Sequence, residues 1–267
     1  MPERDAGACI RRPAGRGKVD VMPSTHLGPE PALERVWARL AARLARSATQ
    51  SRRHLSRRRA DMACRTEGGA QVRVVHQVGE AERLRWLDLP AGARFELPLQ
   101  PGGGFAALVC EGEVRVGGER CGPFDYREGG ARAELSLSSV GGARLLLHEH
   151  AAASDTGLVA PNPMPWQTLA PGLSLRLLAW PGDGGVAPFL LRLDAGSTIP
   201  PHRHRHDEWC LLLEGEMHSE DLLLLPGDFQ LARAGGLHRE VASEGGALLY
   251  IHGDVEPELV AAAAVAD

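Results

Sequence analysis

The chain has 267 residues and a mass of 28.6 kDa; 43% of its residues are hydrophobic and 24% charged. That composition buries a real core and excludes wholesale disorder, and no stretch reaches the ~18 consecutive apolar residues of a membrane span. The net charge of −4 hides an imbalance, because residues 1–60 carry 14 Arg/Lys against 5 Asp/Glu, leaving the remainder at −13. A basic arm precedes an acidic body.

The opening Met1-Pro-Glu-Arg-Asp has no apolar stretch behind its charges, so no secretory leader is expected. Five cysteines (Cys9, Cys64, Cys110, Cys121, Cys210) form no C-x-x-C pair. An odd, scattered set argues against a disulfide framework and for a reduced, cytoplasmic location. Residues 4–31, rich in Gly, Pro and Arg, read as disordered. From there Leu33, Val36, Trp37, Leu40 and Leu44 recur at helical spacing, with Arg35, Arg39, Arg43 and Arg46 on another face. This predicts an amphipathic helix over about 31–48, packed on the body or a twin subunit, or docked on a partner protein. Arg52-Arg-His-Leu-Ser-Arg-Arg-Arg59 lacks interleaved aromatics and reads as a solvated linker rather than a surface for nucleic acid.

Beyond residue 62 the chain repeats itself at an offset of 103. Gly69 and Arg73 fall on Gly172 and Arg176, and Glu111-Gly-Glu113 falls on Glu214-Gly-Glu216. Pro123, Asp125 and Tyr126 meet Pro226, Asp228 and Phe229. Short apolar runs end at Gly, Pro or Asp turns, and no long 3.6-residue period appears. The expected fold is all-β, two tandem jelly-roll barrels behind a basic, partly helical arm. The expected boundaries are 1–61 for the arm, 62–155 and 156–258 for the modules, and 259–267 for a flexible tail.

The second copy contains Gly196-Ser-Thr-Ile-Pro-Pro-His202-Arg-His204-Arg-His-Asp-Glu208, followed by Gly227-Asp-Phe-Gln-Leu-Ala-Arg-Ala-Gly235-Gly-Leu-His238. Alternation puts His202 and His204 on one strand face. A turn returns Glu208 beside them, and Gly235-Gly236 delivers His238 at the start of another strand. Three imidazoles and a carboxylate suit Zn(II), Fe(II), Mn(II) or Ni(II) and not the oxygen-seeking Ca(II) or Mg(II). His206, in the intervening turn, is left as an alternative should one ligand be replaced, and His218 and His252 are read as peripheral. At the constant offset the first copy presents Leu99, Pro101, Phe105 and Leu135, so one divalent metal per chain is expected.

These segments resemble the two motifs of the cupin superfamily. G-x5-H-x-H-x3-E-x6-G matches at Gly196, His202, His204, Glu208 and Gly215. G-x5-P-x-G-x2-H matches at Gly227, Gly235 and His238, with Arg233 in place of the proline. The resemblance implies metal binding by His202, His204 and His238, with Glu208 as fourth ligand or hydrogen-bonding neighbour. The run from Trp209 to His238, with Trp166-Gln-Thr-Leu-Ala-Pro-Gly172, is similar to the cupin region of ChrR-type anti-sigma factors. That likeness implies a regulatory or stress-sensing protein whose N-terminal part holds a sigma factor. The H-x3-C-x2-C cluster of that family's helical domain is missing, since Cys9, His26 and His54 stand far apart. Cupins resembling this chain also include Fe(II) dioxygenases that cleave C–C bonds of diketones or hydroxyacetophenones, and, further off, isomerases. An enzyme predicts a ligand pocket lined by Trp209, Leu211 and Phe229, while Trp209 and Phe229 also read simply as core aromatics; Cys210 is read as packing. Pairing of barrel edges into a homodimer is a further expectation.

Overall fold

Pro31 opens α1 (Pro31–Ser51), a position where its missing N–H costs nothing, and Glu34 in the first turn suits the helix dipole. The helix runs three residues past its expected end because neither Gly nor Pro occurs between Arg46 and Ser51. Leu33, Val36, Trp37 and Leu40 are exposed along it. The computed structural model describes residues 31–51, 54–80, 82–97, 102–130, 135–150, 157–159, 164–181 and 185–255. The expected disordered segment before α1 and the tail at 259–267 lie outside the described residues, as do Leu99 and Pro101. Residues 1–45 and 46–267 form two separate units.

The larger unit is built from strands. β1 (His54–Arg57) precedes the first module, which begins with β2 (Cys64–Glu67), β3 (Ala70–Val78), β4 (Glu82–Leu89) and β5 (Arg94–Leu97). It continues through β6 (Gly104–Gly112), β7 (Val114–Val116), β8 (Glu119–Cys121), β9 (Tyr126–Gly129), β10 (Leu135–Ser138) and β11 (Ala143–His150). After β12 (Leu158–Val159) come β13 (Gln167–Ala170), β14 (Leu173–Leu177), β15 (Val186–Leu193), β16 (Ser197–Ile199), β17 (His202–Arg203) and β18 (Glu208–Gly215). The chain closes with β19 (Met217–Ser219), β20 (Leu222–Leu224), β21 (Phe229–Ala232), β22 (Leu237–His238), β23 (Val241–Ser243) and β24 (Ala247–Asp254).

Each module sets a seven-stranded antiparallel sheet against a four-stranded one. The orders are β12-β9-β6-β11-β4-β3-β2 with β5-β10-β7-β8, and β1-β21-β18-β24-β15-β14-β13 with β16-β23-β19-β20. This is the expected pair of jelly rolls. The second module adds a two-stranded pair, β17 with β22. Val72, Leu87, Phe105 and Leu137 belong to the interior of the first module. Leu175, Phe189, Leu212 and Leu249 belong to that of the second. A third core joins the modules, with Trp86, Leu108 and Tyr126 against Trp209, Leu211, Phe229 and Tyr250. Strands such as β6 and β18 are thus covered on both faces and read as unbroken apolar runs.

The repeated Glu-Gly-Glu has a steric cause. Gly112 and Gly215 close β6 and β18 at φ of 74° and 76°. A Cβ there would lie 2.3 or 1.9 Å from the carbonyl oxygen of Gly142 or Gly246, so only glycine fits.

The modules exchange edges, which corrects the expected boundaries. β1, read as linker, pairs with β21 of the second module, His54 opposite Ala232 and Arg57 opposite Phe229. β12, expected in the second module, pairs with β9 of the first. The two strands occupy corresponding places in the repeat. The buried carboxylate of Asp228 explains why an arginine-rich segment docks here. It accepts from the Arg59 amide at 2.8 Å, the Arg58 guanidinium at 2.7 Å and the Leu225 amide at 3.1 Å. A buried anion needs such partners, and a basic segment supplies them.

Candidate metal centre

The extra strand pair carries the site. His202 and His238 are direct cross-strand partners in β17 and β22. His204 follows β17 in a turn tied to the facing loop, its amide donating to Gly236 O at 3.3 Å and its carbonyl accepting from the Gly235 amide at 2.8 Å. Glu208 opens β18 opposite Ala232. One donor atom from each of His202, His204, Glu208 and His238 lies within 4.8 Å of the others, and among the described residues no second group of this kind occurs. His204 and His238 are buried, and His202 and Glu208 half-buried.

Neighbouring groups set each ring. His202 Nδ1 lies 2.8 Å from Pro200 O, which can only accept, so Nδ1 carries the proton and Nε2 keeps its lone pair. Ser219 Oγ donates to Gln230 Oε1 at 3.3 Å and stands 3.4 Å from His238 Nδ1, which orients that ring in the same sense. His204 Nδ1 faces Glu208 Oε2 at 3.4 Å, and its Nε2 is buried with no hydrogen-bond partner. Burial, then the imidazoles of His54, His204 and His202, push His238 down to about 3. For His204, burial acts downward, but the Glu208 carboxylate outweighs it and leaves the group raised. Gly253 gives Glu208 its room, because a Cβ there would sit 2.7 Å from Glu208 Cγ. Soft-to-borderline nitrogen donors, one carboxylate and an orphaned buried nitrogen fit a divalent transition ion.

The turns around the cluster are pinned by carboxylates. Asp254 accepts from the Arg205 amide at 2.6 Å and meets His206 Nδ1 at 2.6 Å. This holds the exposed His206 outside the cluster and ends its candidacy as a ligand. Asp207 accepts from Arg233 at 3.0 Å and from the Ala234 amide at 2.9 Å. Arg233, where the motif has proline, thus fixes the β21–β22 turn by an ion pair.

The cluster forms part of the wall of a cavity of about 400 Å³ inside the second barrel, with Leu175, Phe189, Leu191, Met217 and Ile251 among the apolar lining and Gln230 and Asp254 among the polar. The expected lining residues are elsewhere. Trp209, Leu211 and Phe229 point to the opposite face of their strands and fill the core between modules. Cys210 lines the cavity instead, its thiol pushed up by burial and so kept protonated. Alternation from Glu208 carried this information, since Cys210 and not Trp209 shares its face.

Two groups escaped the sequence reading. His54 of β1 stacks on His238, ring centroids 4.5 Å apart and planes 12° apart. His252, expected to be peripheral, belongs to a histidine group between the modules, 5.2 Å from His148 and 5.5 Å from Trp209. His218 is exposed near Glu216.

The counterpart of His238 also needs correcting. Val116 pairs with Leu137 where Ser219 pairs with Val241, so the offset grows from 103 to 104 across the hairpin. Leu135 lies in β10 opposite Leu97 and is not in His238's place. The second module has one additional residue in the stretch that forms β22.

The chain has a cupin-like fold of two jelly-roll modules, with a His₃Glu cluster in the second. Residues 154–256 match the family model of the ChrR cupin-like domain. No curated protein matches the chain in sequence. Among solved structures, a putative dioxygenase from Nostoc punctiforme superposes with a TM-score of 0.62 at 12% identity, over 77% of this chain and 84% of that one. A mutant of oxalate decarboxylase OxdC from Bacillus subtilis gives 0.57 at 15% identity, over 76% and 78%. At such identities the likeness is one of fold. No described helix is long and apolar enough to cross a membrane.

Proposed function

We propose that this protein is a ChrR-like regulatory or stress-sensing cupin of the cytoplasm, holding one divalent transition metal and a small ligand in its second module. The observation that carries the reading is a coincidence. The module that matches the ChrR cupin-like domain contains both the complete cluster and the apolar cavity beside it. Mn(II) centres named for the structurally similar oxalate decarboxylase support a divalent ion here. Held by His202, His204, His238 and Glu208, such an ion would supply Lewis acidity and, for iron or manganese, a change of oxidation state.

The chain's own part is orientation and exclusion. Pro200 O and Ser219 Oγ fix two rings, Glu208 brings the single negative charge, and Phe189, Leu191 and Ile251 give the cavity its apolar wall. Neutral imidazoles and one carboxylate leave a divalent charge partly uncompensated. The cavity therefore suits a small apolar molecule with an anionic or enolic oxygen. The exposed Leu33, Val36, Trp37 and Leu40 of α1 support a protein partner, a sigma factor in the ChrR-like reading.

A mononuclear Fe(II) dioxygenase for diketone or hydroxyacetophenone substrates is the second reading, favoured by a cavity of the size small ligands occupy. Elemental analysis of the purified protein, with O₂ uptake after anaerobic Fe(II) loading, separates the two. A tightly held metal without uptake on any such ketone supports the regulator. Substrate-dependent uptake that disappears in His202→Ala/His204→Ala establishes the enzyme.

A further inference from the structure

His54 lies outside both cupin motifs and outside the matched family segment, on the strand that comes directly after the N-terminal helix in sequence. Its ring nevertheless covers the ring of His238, and its Nε2 is buried without a hydrogen-bond partner. A Cβ on Gly236, two residues before His238, would come within 3.1 Å of that nitrogen. The β22 turn is thus shaped around the His54 ring.

The strand is also held by residues of the second motif region. Asp228, beside the motif's Gly227, takes Arg58 and the Arg59 amide, and a Cβ on Gly227 would strike the Arg59 side chain at 2.4 Å. The first module supplies the control. Its exchanged strand β12 pairs with β9 as β1 pairs with β21, but Leu158, opposite Gly129, stands where His54 stands opposite Ala232, and Phe105 fills the interior there instead of a ligand cluster. Of the two exchanged strands, the one that lies beside the imidazole cluster carries the stacked imidazole.

We infer that β1 is a strap on the metal centre, with His54 as a positioning residue for His238, so that metal affinity and the seating of this strand depend on each other. The inference rests on metal binding at the cluster. By linkage, whatever lifts residues 54–57 from β21 weakens metal binding, and metal loading fastens the strand by the same free energy. The arm would then sense the state of the centre through its own anchoring strand.

The test uses the full chain and Zn(II), titrated in competition with a chromophoric chelator, with amide exchange of residues 54–59 followed with and without Zn(II). His54→Ala is expected to weaken Zn(II) binding roughly three- to tenfold, while His54→Phe, which keeps a flat ring on His238, stays within about twofold. Zn(II) is expected to slow exchange at 54–57 in the wild type and not in His54→Ala. The Co(II)-loaded spectrum should shift in His54→Ala and return in His54→Phe, which general loosening of the fold would not produce. Arg58→Ala, which weakens the anchor at Asp228 without touching the cluster, should lower affinity in the same direction. Unchanged affinity in both His54→Ala and Arg58→Ala, or exchange indifferent to Zn(II), overturns the strap and leaves the metal centre standing. A wild type that takes up no Zn(II) removes the proposed function and the strap with it.

Discussion

At the head of the long central strand of each module one residue faces the barrel interior. In the first it is Phe105, opposite Gly129; in the second it is Glu208, opposite Ala232. Phe105 is wholly buried among Val72, Leu87 and Leu145. Glu208 stands half-buried beside three histidines at a cavity. The strand order, the glycine that ends the strand and the exchanged edge are common to both. The scaffold is therefore indifferent to what fills it, and function here resides in a few inward positions and a one-residue lengthening in the stretch that forms β22.

The comparison breaks most completely at the ligands. His202→Ala/His204→Ala should take metal content from about one ion per chain to near zero by elemental analysis, whereas Phe105→Ala should leave it unchanged. Retained metal in the double variant would place the site elsewhere. Stability should divide the other way. Phe105→Ala removes a fully buried ring and should cost about 3–5 kcal/mol in urea unfolding of the metal-free protein. Glu208→Gln should cost less than about 1 kcal/mol in the same metal-free assay and show its effect only on metal affinity. Equal losses in the two variants would mean that both modules use this position for packing.

The core between the modules gives a pH test. His252 of β24 is held down to about 4, chiefly by burial and then by His148 of β11, with Glu82 of β4 acting upward and His150 of β11 downward. The unfolded chain takes up this proton near its ordinary ~6.5. Above that pH neither state is charged and stability is complete. As pH falls from about 6.5 toward 4 only the unfolded chain gains the proton, so stability is lost, on the order of 3 kcal/mol for this group. His76 and His150, also lowered mainly by burial, act in the same direction. His252→Asn should flatten the decline between pH 7 and pH 4.5; an unchanged slope would assign it to other groups.

The cluster was legible because its spacing is local, with two histidines two residues apart, a glutamate four residues on and a glycine-led return to His238. The repeat was legible because turns need particular residues, as at Gly112 and Gly215. What the sequence concealed was non-local. Trp209, Leu211 and Phe229 look like pocket residues because β18 and β21 are buried on both faces, and hydrophobicity does not say which face is which. Residues 54–57 look like linker because their reason for docking, the buried Asp228, lies about 170 residues away in sequence. The slipped offset at Leu135 followed from carrying one spacing across a hairpin that differs between modules.

The smallest predicted effect asks whether the second module's polar interior is tuned or merely tolerated. Ser219 is buried, and its hydroxyl reaches both Gln230 Oε1 and His238 Nδ1. The corresponding position in the first module, Val116, is wholly buried and apolar. If the hydroxyl serves only to satisfy Gln230, Ser219→Ala should leave metal binding alone. If it fixes the His238 proton on Nδ1 and the lone pair on Nε2, its loss frees the other tautomer and should weaken Zn(II) binding about tenfold. Ser219→Thr, which keeps the hydroxyl, should restore most of that affinity. Weakening in both variants would point to crowding at the strand, and weakening in neither would mean that burial alone, which already holds His238 neutral, is enough to prepare it.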